Sequence, residues 1–267
     1  MKIAVTGKGG VGKTTIAGTL ARIFSSEGHT VLAIDADPDA NLASAIGMPE
    51  EKYQSITPFS RMRGLAEERT ESTGTYGGLF ILNPKVDDLP DRFCVEHEGV
   101  KLLIMGTVEK GGGGCVCPQH TLLKRLMRHL LVERDEVVIM DMEAGVEHLG
   151  RGTAEAVDAL LIVAEPGSRS IQTALRIREL AEDIGIKRLF AVGSKVRSEE
   201  DIAFLRDRLS GIPYLGSLPF SQEIVEADLK KISLFDSGGS SVAALKLIKD
   251  RLVKEIGKAG LTGEIGV

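Results

Sequence analysis

Apolar positions along the chain fall into two kinds of run. Residues 2–6 (KIAVT), 30–34 (TVLAI), 100–105 (VKLLIM), 136–140 (EVVIM), 159–163 and 188–192 are short blocks rich in Val, Ile and Leu, and 213–218 is a weaker one. Blocks of this kind read as strands buried on both faces. Between them the apolar spacing turns helical, as in Ile16, Leu20, Ile23 and Phe24 after the first block. Helices are predicted over 16–24, 42–46, 122–131, 168–184, 199–209 and 241–256. Strand-then-helix alternation requires a mostly parallel sheet covered by helices on both faces. The pattern therefore predicts a single α/β domain over residues 1–267, with no linker to divide it.

Two stretches fit this scheme less well. Residues 48–91 are poorly patterned and charged, and read as a loosely ordered insertion with one short helix near 61–68 and a solvated face. Residues 92–96 read as a strand ahead of a Glu98-Gly99 turn, with Cys94 packed in the core and 100–105 as a central strand. The closing helix places Leu245, Ile248, Leu252 and Ile256 on one face. It lacks Trp or Phe anchors, and Asp250 and Glu255 dilute its lysines. It is expected to dock on the sheet and not on a membrane.

Composition narrows the function. The chain has 267 residues, 43% of them hydrophobic, and a formal net charge of −5. An acidic chain lacks the basic field of a general nucleic-acid binder, so no nucleic-acid partner is expected. No apolar run reaches the roughly 20 residues that span a bilayer. The chain opens directly into a core strand, so a cytoplasmic protein is expected. Three cysteines in such a chain do not make a disulfide framework, and leave packing, redox or metal roles.

The chemistry gathers after the first strand. Gly7-Lys8-Gly9-Gly10-Val11-Gly12-Lys13-Thr14-Thr15 fits GxxxxGK[ST] and stands between a strand and a helix, as a phosphate-binding loop must. Glycines let backbone N–H groups curl around an anion, and the helix start adds partial positive charge. Lys13 is expected on the β- and γ-phosphates and the Thr14 hydroxyl on Mg2+. The second strand ends in Asp35-Ala36-Asp37-Pro38-Asp39, at the sheet edge where ligands of such folds bind. Asp39 or Asn41 is expected to cap the helix at 42–46. The strand at 136–140 is closed by Asp141, followed by Met142-Glu143-Ala144-Gly145. An Asp in this place can hold Mg2+ through water, and Gly145 leaves an N–H to approach the γ-phosphate.

With Lys8 inside the loop, KGGVGKT resembles the deviant Walker A motif of the MinD, ParA and nitrogenase iron protein superfamily. That resemblance implies a P-loop NTPase fold, an ATPase, and a homodimer in which Lys8 reaches the partner's nucleotide. It also implies that Asp37 positions or deprotonates the attacking water. A guanine-reading Asn-Lys-x-Asp is absent: Gly193-Ser194-Lys195-Val196 has no carboxylate at the fourth place, which favours ATP. Ser194 stands where relatives often carry an adenine-binding Asn. Ser194, Lys195 and backbone groups near 218–220, Pro219 among them, are the expected adenine contacts.

Gly111-Gly112-Gly113-Gly114-Cys115-Val116-Cys117-Pro118 and residues 141–153 (DMEAGVEHLGRGT) resemble CooC-type ATPases, nickel-insertion accessory proteins of carbon monoxide dehydrogenase. The resemblance implies an ATP-dependent metallochaperone whose partners are itself and a nickel-containing carbon monoxide dehydrogenase or acetyl-CoA synthase apo-enzyme. Thiolates suit nickel, zinc or copper(I), and two cysteines supply half of a four-coordinate site. A twofold axis through the 111–118 loop completes it, with Ni2+ or Zn2+ held by Cys115 and Cys117 of both chains. Two cysteines in a flexible loop, or a strained disulfide between them, is the bland alternative. Neither His120 nor His148 is assigned as a ligand. Two other functions remain open: a positioning ATPase of the MinD/ParA kind, and an iron–sulfur reductase. The latter draws its cysteines from separated segments, unlike a CxC pair.

Overall fold

The computed structural model describes residues 1–54, 56–72, 79–106, 118–146 and 149–262. The apolar blocks form β1 (Lys2–Gly7), β2 (Val31–Ala36), β3 (Val95–His97), β4 (Val100–Ile104), β5 (Val137–Met142), β6 (Ala159–Ala164), β7 (Leu189–Val196) and β8 (Tyr214–Pro219). They pair in the order β3-β4-β2-β5-β1-β6-β7-β8. Every pairing is parallel except the β3–β4 hairpin at one edge. β1 thus sits inside the sheet between β5 and β6, and the loop that follows it opens at the middle of the carboxyl edge.

Successive side chains of a strand point to opposite faces, and the core divides accordingly. Ala4, Leu32, Ile34, Met140 and Ile162 pack on one side with Leu126 of the helix Pro118–Arg128 and Ile177 of the helix Ser168–Ile184. Ile3, Val5, Ala33, Ile139 and Leu161 pack on the other with Leu20 of the helix Lys13–Ser26 and Leu245 of the helix Gly239–Thr262. On the first of these helices a Cβ at Gly18 would lie 2.7 Å from the Ala45 side chain, so glycine there allows close contact with the helix Leu42–Ala45. Leu245, Ile248 and Leu252 are buried, so the closing helix docks on the domain as its pattern predicts. No described helix is long and apolar enough to cross a membrane.

The structure departs from expectation at one edge. Residues 92–96 are not a single strand: the helix Leu89–Phe93, with Pro90 in its first turn, precedes β3. Proline is preorganised for a helix start, and that local signal overrides the strand-like run. Cys94 lies between them, half-buried, and burial pushes its thiol up to about 12. β4 is next to the edge strand, not central. The insertion also holds more structure than its pattern suggests, with helices Glu50–Tyr53 and Arg63–Thr70 and a 3-10 turn Phe59–Arg61. Phe59, Ala66, Val86 and Leu89 are buried. Arg69 grips Asp88 with two hydrogen bonds of 2.8 and 2.7 Å, so this charged run is partly an internal tie. Helices Gln222–Leu229 and Leu234–Ser237, each opened by a serine cap, were not evident from periodicity.

Candidate nucleotide site

The loop geometry begins with Gly7, whose φ is 152°, where a Cβ would collide with the Val163 carbonyl of the neighbouring strand. Gly10 and Gly12 follow with φ of 77° and 93°, left-handed conformations that favour glycine. Gly12 caps the helix Lys13–Ser26 without a side chain, and no acidic residue occupies the first turn. The positive end of the helix is therefore left for an external anion.

Lysines surround this loop. Lys13 is buried, and its Nζ lies 3.8 Å from Asp37 Oδ2. Lys8 Nζ lies 3.7 Å from Glu165 Oε1, and Lys195 Nζ 3.6 Å from Glu165 Oε2. Lys195 also donates to the Gly10 carbonyl at 2.6 Å, tying the loop to the end of β7. Its own φ is 55°, a strained left-handed value for lysine that aims the side chain there.

Behind the lysines lie two buried carboxylates. Asp35 and Asp141 are register partners on β2 and β5, and neither is accessible to solvent. Burial, then the neighbouring Asp141 charge, pushes Asp35 up to about 7, against hydrogen bonds from the Leu42 and Asp37 amides. Those bonds measure 2.9 and 3.3 Å. The Leu42 bond corrects one expectation: Asp35 satisfies the start of the helix Leu42–Ala45, whereas the cap residue Asn41 makes no side-chain bond there. Burial pushes Asp141 up to about 6, opposed by the Thr14 hydroxyl and Lys13. Neither Asp141 oxygen has a hydrogen-bond partner of good geometry among the described residues. Orphaned buried carboxylate oxygens next to a threonine hydroxyl form a donor set that fits a hard divalent cation such as Mg2+.

Gly145 differs from expectation. Its N–H is not free: it donates to the Glu143 carbonyl at 2.8 Å and approaches Thr6 Oγ1 at 3.3 Å. On the opposite side of the loop, Gly12, Thr15, Ser194, Lys195, Leu218, Pro219, Phe220, Ser221, Ile224 and Val225 line a largely apolar cleft. Arg197 stacks over Phe220 at 4.6 Å from the ring centroid. The cleft brings together the residues expected at adenine, and Gly12 and Thr15 of the P-loop are part of its lining. A flat heterocycle with a phosphate tail fits such a combination of cleft and loop.

The described residues thus unite Gly7 to Thr15, Asp37, Asp141, Ser194, Lys195 and Pro219 around one edge of the sheet. Cys115, Cys117 and His148 lie outside the described residues. Among those described, no group of three or more His, Cys, Asp or Glu is placed to hold a metal. Asp35, Glu165 and Thr6 were not singled out from the sequence. Asp35 carried a signal, as the first acid of the Asp35-Ala36-Asp37 run. The other two acquire meaning only from strands brought together in the fold.

Residues 2–234 match the family model described as the CobQ/CobB/MinD/ParA nucleotide binding domain. The chain is 58% identical over 236 residues to the carbon monoxide dehydrogenase accessory protein CooC of Rhodospirillum rubrum, covering 88% of this chain and 90% of the relative. It is 50% identical to an uncharacterized ATP-binding protein of Methanocaldococcus jannaschii, covering 85% of this chain and 88% of that one. Among solved structures, a chain of the MinC:MinD cell division protein complex of Aquifex aeolicus superposes with a TM-score of 0.69 at 17% identity, covering 95% of this chain and 96% of that one. At that identity the likeness speaks for the fold alone.

Proposed function

The chain belongs to the CobQ/CobB/MinD/ParA nucleotide-binding family and is a P-loop ATPase, and from that premise we propose that it is an ATP-dependent nickel metallochaperone for carbon monoxide dehydrogenase. The observation that carries the finer reading is the 58% identity to CooC across nearly the whole of both chains. In this reading the P-loop amides and Lys13 bind the β- and γ-phosphates, and the cleft ending at Pro219 receives adenine. Thr14 and Asp141 hold Mg2+, which screens phosphate charge when bound. Asp37 orients the attacking water. Lys8 leaves Glu165 and reaches the partner's nucleotide, so that ATP closes a homodimer. Cys115 and Cys117 of two chains enclose one Ni2+ or Zn2+ as cargo, and hydrolysis resets the geometry of that loop.

The decisive experiment supplies nickel-free carbon monoxide dehydrogenase with Ni2+, ATP and this protein. Activation that needs both ATP and the two cysteines is the expected result. Activation at the same rate without the protein, or with Cys115→Ser, contradicts the reading. A second reading, a positioning ATPase acting on DNA or membrane, draws on membership in the CobQ/CobB/MinD/ParA family. It requires neither cysteine for ATP-dependent function, so the same variant separates the two.

A further inference from the structure

The penultimate residue of β1, Thr6, spends its hydroxyl outside its own strand. Thr6 is fully buried, and its Oγ1 lies 2.8 Å from the Glu143 carbonyl, 3.0 Å from the Gly145 carbonyl and 3.3 Å from the Gly145 N–H. A hydroxyl carries one proton and two lone pairs. It therefore donates to one of the two carbonyls and accepts from the amide. The Gly145 amide also donates to the Glu143 carbonyl at 2.8 Å, an i to i+2 bond that closes a tight turn directly after β5. In this shape the amide is committed within the turn and is not available to a phosphate oxygen. The clamp comes from the residue immediately before Gly7, so the turn is fastened to the root of the P-loop.

We propose that Thr6 is the positioning residue that sets how strongly this site prefers a nucleoside triphosphate to a diphosphate. The inference rests on the P-loop being an ATP site and deepens it. A γ-phosphate that takes the Gly145 amide must open the turn, and the Thr6 hydroxyl opposes that opening. A diphosphate stops short of the amide and leaves the turn closed. Only the triphosphate form works against the clamp, and a ligand shifts such an equilibrium only through its differential affinity for the two shapes. Thr6→Val keeps the side-chain volume and removes the hydroxyl, which also takes the donor away from whichever of the Glu143 and Gly145 carbonyls it serves in the closed turn. Both effects weaken the closed shape, by the worth of an ordinary hydrogen bond.

The test is calorimetric titration of wild type, Thr6→Val and Thr6→Ser with ADP and with AMPPNP, both with Mg2+. AMPPNP is expected to bind Thr6→Val about three- to tenfold more tightly than wild type. ADP affinity should stay within about twofold, and Thr6→Ser, which keeps the hydroxyl, should resemble wild type. Equal changes for both nucleotides, a loss of AMPPNP affinity, or a Thr6→Ser protein that behaves as Thr6→Val overturns the proposal. Thr6→Ala removes the same hydroxyl and must move the ratio in the same direction if Thr6→Val does not fold. Hydrogen exchange at the Gly145 amide without nucleotide gives a readout independent of ATP. It should quicken in the hydroxyl-free variant, and an unchanged rate overturns the role of Thr6 alone. Failure of wild type to bind either nucleotide instead refutes the ATP site.

Discussion

Lys13 Nζ and Asp37 Oδ2 stand 3.8 Å apart across the mouth of the P-loop. The lysine assigned to phosphate and the carboxylate assigned to water are thus electrostatic partners, and in the proposed site an incoming phosphate would compete with Asp37 for the same ammonium. Lys13→Ala should weaken ATP binding by about a hundredfold, the worth of a strong charge-assisted contact. Asp37→Asn should bind ATP at least as well as wild type while kcat falls by about a hundredfold or more. Parallel titrations and single-turnover assays check both. A Asp37→Asn protein that hydrolyses ATP at the wild-type rate would remove Asp37 from the water.

Asp141→Asn acts on the cation. Its two oxygens are buried without hydrogen-bond partners among the described residues, and an amide is a poorer ligand for a hard cation. ATP affinity measured with Mg2+ should fall, while affinity measured in EDTA should change little. Asp37→Asn should show no such dependence on Mg2+.

The buried acids give a pH signature of definite sign. Asp35 is pushed up to about 7 from an ordinary value of 3.8. The folded state then holds a proton that the unfolded chain releases, so this contribution is full below pH ~4 and lost as pH rises through ~7. Between these limits it removes up to about 1.4 kcal/mol per pH unit. Without Mg2+, Asp35→Asn should gain thermal stability relative to wild type on going from pH 5 to pH 8. Parallel melting curves at the two pH values would exclude a raised Asp35.

Lys8 is half-exposed and rests on Glu165. An exposed pair of this kind contributes about 1 kcal/mol or less, so it does not confine the lysine. Lys8→Ala should therefore keep ATP affinity within about threefold. Hydrolysis and ATP-driven dimerisation should be lost together. Light scattering beside a phosphate-release assay checks this, and a Lys8→Ala monomer with wild-type turnover would refute a role across the dimer.

Much of this was legible in the chain because its signals are local. A strand, a glycine loop and a helix occupy the first 26 residues without interruption, and the loop's phosphate chemistry needs no distant partner. The Ser168–Ile184 helix matches its predicted limits because its apolar period runs unbroken to Gly185, which caps it at φ 90°. Non-local ties were invisible. Arg69 and Asp88 convert an apparently solvated run into a packed one across 19 residues. Asp35 replaces Asn41 as the helix cap because β2 and the helix Leu42–Ala45 fold back on each other. The Thr6 contact at the Gly145 amide was invisible because Thr6 is 139 positions away in sequence. Ser194, Lys195 and Pro219, which line one cleft, were named from family resemblance and not from a signal in their own segments.

If ATP and metal act on one dimer, as proposed, the metal-to-protein ratio of separated monomer and dimer must show it. Monomer and dimer fractions of wild type and Cys115→Ser are separated after incubation with Ni2+ or Zn2+, with and without ATP, and the bound metal is counted. One metal per two wild-type chains is expected, confined to the dimer, changed by ATP, and absent from Cys115→Ser while that variant still binds ATP. One tightly bound metal per isolated monomer, or an unchanged metal content in Cys115→Ser, would contradict it.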